Sequence, residues 1–191
     1  MNFSKTPFTG PRAAADPLFL WTGPRHAGKT SKLLQLESAA RQQGIPLAGL
    51  LSLSIYQQGH LTGFDLLDIA TRQTRPLARR PQPSVPFAFD SAAFDWGNEI
   101  LAGIDTRNAH LIILDEFGPL ELRGSGWRPA ADRLIRTTRT PLLLVVRDGL
   151  GSAVRPLYPS RDMIVVPFHL PEAISQVLDG VKRYQEVLKS P

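Results

Sequence analysis

The sequence predicts an α/β fold of three layers, with a mainly parallel sheet and helices on both of its faces. Short apolar runs alternate along the chain with segments whose apolar residues recur at helical spacing. The first run, residues 18–22, leads through a glycine-rich segment into a helical pattern, an order typical of a buried parallel strand and its following helix. The length of 191 residues suits one domain. We expect this domain to span residues 17–191, after a loose N-terminal segment over residues 1–16.

The first half of the chain predicts two strands separated by a helix, and then a hairpin. A strand is predicted over residues 18–22 between a proline and a glycine, and a helix over residues 29–43 ends at a glycine. A second strand is predicted over residues 45–54, and a hairpin within residues 56–70. The proline-rich residues 75–86 are interpreted as a connector.

The second half predicts the remaining strands and helices. Asp90 is expected to cap a helix that carries Phe94, Leu101 and Ile104. Buried strands are predicted over residues 110–115, 141–146 and 163–166, and a further helix over residues 129–137. The last helix, beginning near Pro171, is predicted to bury one face formed by Ile174, Val177, Leu178, Val181 and Leu188.

Composition and charge narrow the classes of function. Lys and Arg number 22 against 17 Asp and Glu, a net charge of +5, but the basic residues are scattered, so nucleic-acid binding is not expected. The absence of cysteine excludes disulfides, thiolate metal sites and cysteine nucleophiles. No apolar run approaches the ~20 residues of a membrane span, and residues 1–16 lack the apolar core of a signal peptide. We therefore expect a cytoplasmic protein without membrane contact, and the sequence leaves a protein partner open.

Residues 23–30, GPRHAGKT, match the phosphate-binding pattern G-x-x-x-x-G-K-[ST] without a mismatch. A random chain of this length and average composition would contain such a string about 0.5% of the time. The segment lies between a predicted strand and a predicted helix, where backbone N–H groups and the positive end of the helix converge on one anion. The residues expected to bind nucleotide phosphates are Gly23, Pro24, Arg25, His26, Ala27, Gly28, Lys29, Thr30 and Ser31.

The residue types of this loop have separate roles. Its two glycines permit backbone conformations and a close approach to phosphate that a Cβ atom would obstruct. Lys29 is predicted to place its ammonium group against the β and γ phosphate oxygens, and Thr30 to supply a hydroxyl to Mg²⁺. We expect the side chains of Arg25 and His26 to point to solvent, because such loops bind chiefly through the main chain.

Asp115 and Glu116 follow directly after the apolar run of residues 111–114. Ligands of an open parallel sheet bind beyond the carboxyl ends of its strands, so Asp115 is expected to face the phosphate loop. It is predicted to hold Mg²⁺ through a water, because this ion keeps part of its hydration shell. Glu116 is predicted to orient the water that attacks the γ-phosphorus.

Arginine is the usual further source of positive charge on the γ-phosphate. Arg147 is the first candidate, because it directly follows the apolar residues 142–146. Arg123 and Arg128 are the competing candidates. Glu121 is expected either to orient a nearby arginine or the waters of the metal, or to be a plain acid at a helix start.

Together these patterns predict hydrolysis of nucleoside triphosphates with Mg²⁺ as cofactor. The predicted catalytic residues are Lys29, Glu116 and Arg147, and the predicted metal ligands are Thr30 and Asp115. Two alternatives stay open: a kinase that passes the γ-phosphate to a nucleotide or small acceptor, and a nucleotide-gated binding module with vestigial hydrolysis. No motif that reads a nucleobase is evident.

Residues 115–122, DEFGPLEL, resemble the signature Asp-Glu-Ile-Gly-x-Met-Glu-Leu of the thermophilic-type nucleoside triphosphatases. Residues 44–49, 63–65 and 76–79 are similar to further segments of that family, and the similarity covers roughly residues 17–180. The resemblance implies a RecA-like P-loop fold in which the phosphate-loop strand lies beside the strand that ends in the acidic pair. It also implies slow, Mg²⁺-dependent hydrolysis of several nucleoside triphosphates to diphosphate and phosphate.

The chain departs from the family pattern at two places. Residues 53–56 and 60–62 stand where family members carry acidic residues and arginine in the hairpin. Residues 168–169, Phe-His, stand where the family has Asn-Arg. The resemblance therefore implies the phosphate and metal chemistry, and implies nothing about contacts with the base.

Overall fold

The computed structural model describes residues 15–24 and 27–190. The predicted loose segment lies outside the described residues up to residue 14, and the expectation for Arg25 and His26 lies outside them altogether. Asp16 is described and is tied to the domain, because its carbonyl oxygen accepts a hydrogen bond from the N–H of Asp162 at 3.1 Å. Among the described helices, none has the length and apolar character needed to cross a bilayer.

One mixed sheet forms the centre of the domain. Its strands are β1 (Pro17–Gly23), β2 (Leu47–Gln57), β3 (His60–Asp68), β4 (Thr74–Arg79), β5 (Ala88–Phe89), β6 (Leu111–Phe117), β7 (Leu142–Arg147) and β8 (Asp162–Pro167). Within the described residues they lie in the order β5-β4-β3-β2-β6-β7-β1-β8. Neighbouring strands on the β8 side of β2, namely β2-β6, β6-β7, β7-β1 and β1-β8, are parallel. Neighbouring strands on the other side, namely β2-β3, β3-β4 and β4-β5, are antiparallel. A hairpin is present, but β2 and β3 form it, so its first arm is the predicted second strand of residues 45–54, extended to Gln57, and not a separate strand within residues 56–70.

Helices cover both faces of this sheet. They are α1 (Lys29–Gln42), α2 (Ser91–Gly103), α3 (Pro119–Leu122), α4 (Arg128–Thr137), α5 (Gly151–Val154) and α6 (Ala173–Lys189). Phe19 and Trp21 of β1 pack on the side of α1 and α6, whereas Leu18 and Leu20 pack on the side of α2 and α4. Because side chains alternate along a strand, β1 is buried on both faces. The three-layer α/β fold is confirmed.

The phosphate-loop strand β1 does not lie directly beside β6, the strand that ends in the acidic pair, so this expectation from the family resemblance is wrong. Strand β7 lies between β1 and β6, and Leu144 is paired with Leu20 on one side and with Leu114 on the other. Residues 142–146 are completely buried, and such a continuous apolar run is stable only where both faces and both edges of the strand are covered. The carboxyl end of β7 therefore lies between the phosphate loop and the acidic pair.

Two expectations about local structure are also wrong. Residues 75–86 are not wholly a connector, because the strand β4 occupies the start of this segment. Pro76 is tolerated because it lies at a register shift opposite Asp65, where the ladder is already interrupted. In the last helix Leu188 is 40% exposed, and Tyr184 is buried in that face instead. Its hydroxyl donates a hydrogen bond to the carboxylate of Asp16.

Candidate active site

The carboxyl ends of β1, β7 and β6 open onto one edge of the sheet. The phosphate loop runs from the end of β1 to the start of α1, and Gly28 precedes that helix with φ of 84°. This left-handed conformation favours glycine, because a Cβ atom strains the backbone there. Pro24, Ala27 and Ser31 are exposed around the loop. The first N–H groups of a helix have no partner within the helix, so those that begin α1 can bind an anion.

Lys29 folds its side chain back over this loop. Its Nζ atom donates to the carbonyl oxygens of Gly23 at 3.2 Å and of Pro24 at 2.6 Å. Burial lowers the pKa of Lys29, and the charges of Glu116 and Asp115 act in the opposite direction. The ammonium group is therefore partly desolvated and lies within electrostatic reach of both acids.

Thr30 and Asp115 are connected through one residue of the neighbouring strand, Ser52. The hydroxyl of Thr30 donates to the carbonyl oxygen of Ser52 at 3.3 Å. The N–H of Ser52 donates to Oδ2 of Asp115 at 3.1 Å, and its hydroxyl donates to the carbonyl oxygen of Asp115 at 2.8 Å. Sequence reasoning missed Ser52, since no motif contains it and only the pairing of β2 with β6 brings it to the site.

Asp115 is a buried carboxylate with 4% exposure. Burial, together with the charge of Glu116, raises the pKa of Asp115 to about 7, against the opposing effects of the Ser52 N–H and of Lys29. A buried carboxylate near a hydroxyl fits Mg²⁺, because this ion takes one or two protein oxygens and completes its shell with water and phosphate. In the described part of the chain no three His, Cys, Asp or Glu side chains converge, so the donors do not form an all-protein metal cage.

Replacing Asp115 with asparagine is expected to stabilise the metal-free protein above neutral pH. The native carboxyl keeps its proton up to about pH 7, whereas in the unfolded chain it ionises near pH 4. The contribution of this carboxyl to wild-type stability is therefore present near pH 4 and is lost as pH rises to about 7, a loss that the uncharged variant does not share. Asparagine still offers an oxygen to the Ser52 N–H.

Thermal unfolding with a chelator present tests this expectation. The Tm of Asp115→Asn should exceed that of the wild type by about 5 °C at about pH 8 and match it at about pH 4. Comparing the two proteins at each pH cancels the other titrating groups, which they share. A wild type that melts at or above the temperature of the variant at about pH 8 would contradict the expectation.

Glu116 and Arg147 form an ion pair at the same edge. Nε of Arg147 donates to Oε1 of Glu116. The side chain of Arg147 is 32% exposed, and that of Glu116 is 33% exposed. Arg147 ends β7 and is paired with Gly23 at the end of β1. The structure thus brings Arg147, Glu116 and the phosphate loop together.

The competing arginines are engaged elsewhere or face solvent. Nε of Arg128 donates to the carboxylate of Asp132 at 2.5 Å, and its guanidinium lies 5.6 Å from the ring centroid of Tyr158. Arg123 follows α3 and is exposed. Of the three candidates, Arg147 is the one that contacts the acidic pair.

Glu121 closes the loop that follows the acidic pair. It is buried, and its carboxylate accepts from the N–H of Gly118 at 2.8 Å and from the N–H of Trp127 at 3.1 Å. Burial raises the pKa of Glu121. Arg128 contacts only its carbonyl oxygen, at 3.3 Å. The carboxylate therefore caps α3 and holds the loop, which agrees with the interpretation as an acid at a helix start.

Phe168 packs over the start of the phosphate loop. A Cβ atom at residue 23 would overlap its ring, so this contact requires Gly23. The N–H of Phe168 donates to the carbonyl oxygen of Thr22 at 2.9 Å. The following turn is held to α1, because Nζ of Lys32 donates to the carbonyl oxygen of Leu170 at 2.7 Å. An apolar side chain thus borders the loop where the family was expected to carry Asn-Arg.

Two solved structures share this fold. The solution structure of a human cancer-related nucleoside triphosphatase superposes with a TM-score of 0.67 at 22% identity, covering 90% of this chain and 98% of that chain. The crystal structure of THEP1 from the hyperthermophile Aquifex aeolicus gives a TM-score of 0.65 at 14% identity, covering 87% and 99%. The similarity in fold extends over nearly the whole of both proteins.

Sequence comparison points the same way. The nucleoside-triphosphatase THEP1 of Caldivirga maquilingensis is 24% identical over 156 residues, 75% of this chain and 88% of that protein. The nucleoside-triphosphatase THEP1 of Pyrococcus abyssi is 25% identical over 168 residues, 86% and 92% of the two chains. A family model described as NTPase matches residues 18–170. Since this match spans most of the chain, the protein belongs to the NTPase family and is a nucleoside-triphosphatase.

Proposed function

We propose that the protein hydrolyses nucleoside triphosphates to diphosphate and phosphate with Mg²⁺ as cofactor, slowly and with little preference among bases. The observation that supports this most is the chain of contacts from Thr30 through Ser52 to Asp115, which joins the phosphate loop to the acidic strand end. Lys29 lies within electrostatic reach of the same acids. Groups suited to phosphate, cation and water thus border one edge of the sheet.

The triphosphate is proposed to bind through the main chain of residues 23–31 and through Lys29. In the substrate-free protein the ammonium group of Lys29 is bonded to the carbonyl oxygens of Gly23 and Pro24. Phosphate oxygens replace these carbonyls as acceptors, and the new hydrogen bonds are stronger because donor and acceptor are both charged.

Thr30 and Asp115 are proposed to hold Mg²⁺, the first through its hydroxyl and the second through a water. When bound, this ion neutralises charge on the phosphate oxygens. The hydroxyl of Thr30 keeps Ser52 as the acceptor of its hydrogen, and the carboxylate of Asp115 keeps the Ser52 N–H on one oxygen.

Glu116 is proposed to accept a hydrogen bond from the attacking water and to direct its oxygen at the γ-phosphorus. A bond forms between that oxygen and the phosphorus, the bond to the bridging oxygen breaks, and the proton of the water passes to solvent. Arg147 and Lys29 stabilise the negative charge of the transferred group. In the substrate-free protein the carboxylate of Glu116 partly neutralises the charge of Arg147, which weakens the attraction of Arg147 for phosphate and supports slow turnover.

A phosphate-release assay with ATP, GTP, CTP and UTP tests the proposal. We expect release from all four within about tenfold of one another, because the proposed contacts involve only the triphosphate and not the base. Chelation of Mg²⁺ should abolish it. Release that requires an added acceptor would favour a kinase, and tight nucleotide binding with negligible turnover would favour a nucleotide-gated binding module.

A further inference from the structure

We propose that Ser52 is a positioning residue of the metal site, a role that rests on the proposed Mg²⁺-dependent hydrolysis. Ser52 contacts both proposed metal ligands and is neither of them. It accepts a hydrogen bond from Thr30 through its carbonyl oxygen, and it donates two to Asp115, from its N–H and from its hydroxyl. One residue of β2 thus holds the two ligands, which belong to α1 and β6.

The contact with Thr30 orients a hydroxyl. A hydroxyl that ligates a cation does so with a lone pair, and its hydrogen then needs an acceptor elsewhere. The carbonyl oxygen of Ser52 takes this hydrogen at 3.3 Å. The lone pairs of Thr30 Oγ1 are therefore directed away from β2 before any ligand binds.

The contacts with Asp115 hold both its side chain and its main chain. The N–H of Ser52 occupies Oδ2, which leaves Oδ1 for a cation or for its water. The parallel pairing of β2 with β6 ends at Leu50 and Leu114. Beyond that point the hydroxyl of Ser52 bonds to the carbonyl oxygen of Asp115 at 2.8 Å. The hydroxyl of Ser52 thus joins β2 to β6 at Asp115, one residue beyond the last residue of β6 that is paired with β2.

Groups that orient metal ligands typically change metal affinity by about 10- to 100-fold when removed. Ser52→Ala removes only the hydroxyl and leaves the two main-chain contacts, so the lower end of that range is expected. Ser52→Thr retains a hydroxyl. Ser54→Ala is the matched control, because Ser54 lies on the same face of β2 two residues further on.

The test is a calorimetric titration of Mg²⁺ into protein saturated with a non-hydrolysable ATP analogue, which requires no turnover. Ser52→Ala should weaken the Mg²⁺ affinity about tenfold. Ser52→Thr should restore it to within about threefold of the wild type, and Ser54→Ala should leave it within about twofold. In the hydrolysis assay Ser52→Ala should raise the Mg²⁺ concentration for half-maximal rate by about tenfold, and KM for the nucleotide at saturating Mg²⁺ should change less than about threefold.

The outcomes separate this role from the proposed function. Equal Mg²⁺ affinities of Ser52→Ala and Ser54→Ala would overturn the role of Ser52 even if the wild type hydrolyses nucleotides. A loss of affinity that Ser52→Thr does not restore would overturn it as well. A wild type without hydrolysis, but with the expected differences in Mg²⁺ affinity, would overturn the proposed function and support the role of Ser52.

Discussion

Lys29→Ala is expected to abolish measurable triphosphate binding and to lower kcat/KM on the order of a thousandfold. The ammonium group of Lys29 covers the carbonyl oxygens of Gly23 and Pro24 in the substrate-free protein. On substrate binding the ammonium group is proposed to exchange these carbonyl oxygens for phosphate oxygens, so its removal takes a charged hydrogen-bond donor away from the triphosphate. Within a partly buried site such a donor contributes more than it would in bulk water.

Lys32→Ala is the matched control, since Lys32 belongs to the same helix and its Nζ bonds to the carbonyl oxygen of Leu170. Binding of a fluorescent ATP analogue and phosphate release should both stay within about threefold of the wild type in this variant. Circular dichroism melting curves show whether either substitution disturbs the fold. Normal triphosphate affinity in a well-folded Lys29→Ala protein would refute the role of Lys29.

The phosphate loop and the acidic strand end were predictable because each is a local pattern. A glycine-rich turn between an apolar run and a helical pattern has few other interpretations, and α1 does begin at Lys29. An apolar run that ends in two carboxylates likewise marks the end of a buried parallel strand, which is β6. Both predictions depend on residues that are close in the sequence, and the spacing of such residues is enough to indicate the local structure.

The remaining features depend on which strands become neighbours in space. The position of β7 between β1 and β6, and with it the contact of Arg147 with Glu116, follows from strand order. Ser52 reaches the site only because β2 pairs with β6. Strand order is decided by long-range packing, on which hydrophobic periodicity carries no information, so one sequence is not enough to predict it. This is why the two halves of the site were predictable and the residue that joins them was not.

Glu116→Gln is expected to preserve triphosphate binding and to lower kcat on the order of a hundredfold or more. The amide has nearly the same shape as the carboxylate, but its oxygen is a weaker acceptor for the attacking water and its NH₂ group repels the water protons. KM should change little, because the phosphate contacts of Lys29 and the loop are retained. Such a split between kcat and KM identifies an interaction made in the transition state.

The ion pair with Arg147 gives Glu116→Gln a second expected effect, on triphosphate affinity, besides the effect on kcat. Because Arg147 donates to Glu116 in the substrate-free protein, the amide also weakens that ion pair and frees the arginine for phosphate. Triphosphate affinity should therefore stay equal to or rise above that of the wild type while kcat falls, a combination that unfolding or loss of the phosphate site does not produce. Glu99→Gln, at an exposed position of α2, controls for the removal of one negative charge. Phosphate release and nucleotide binding measured on both variants check this, and equal kcat values for Glu116→Gln and Glu99→Gln would exclude Glu116 from orienting the water.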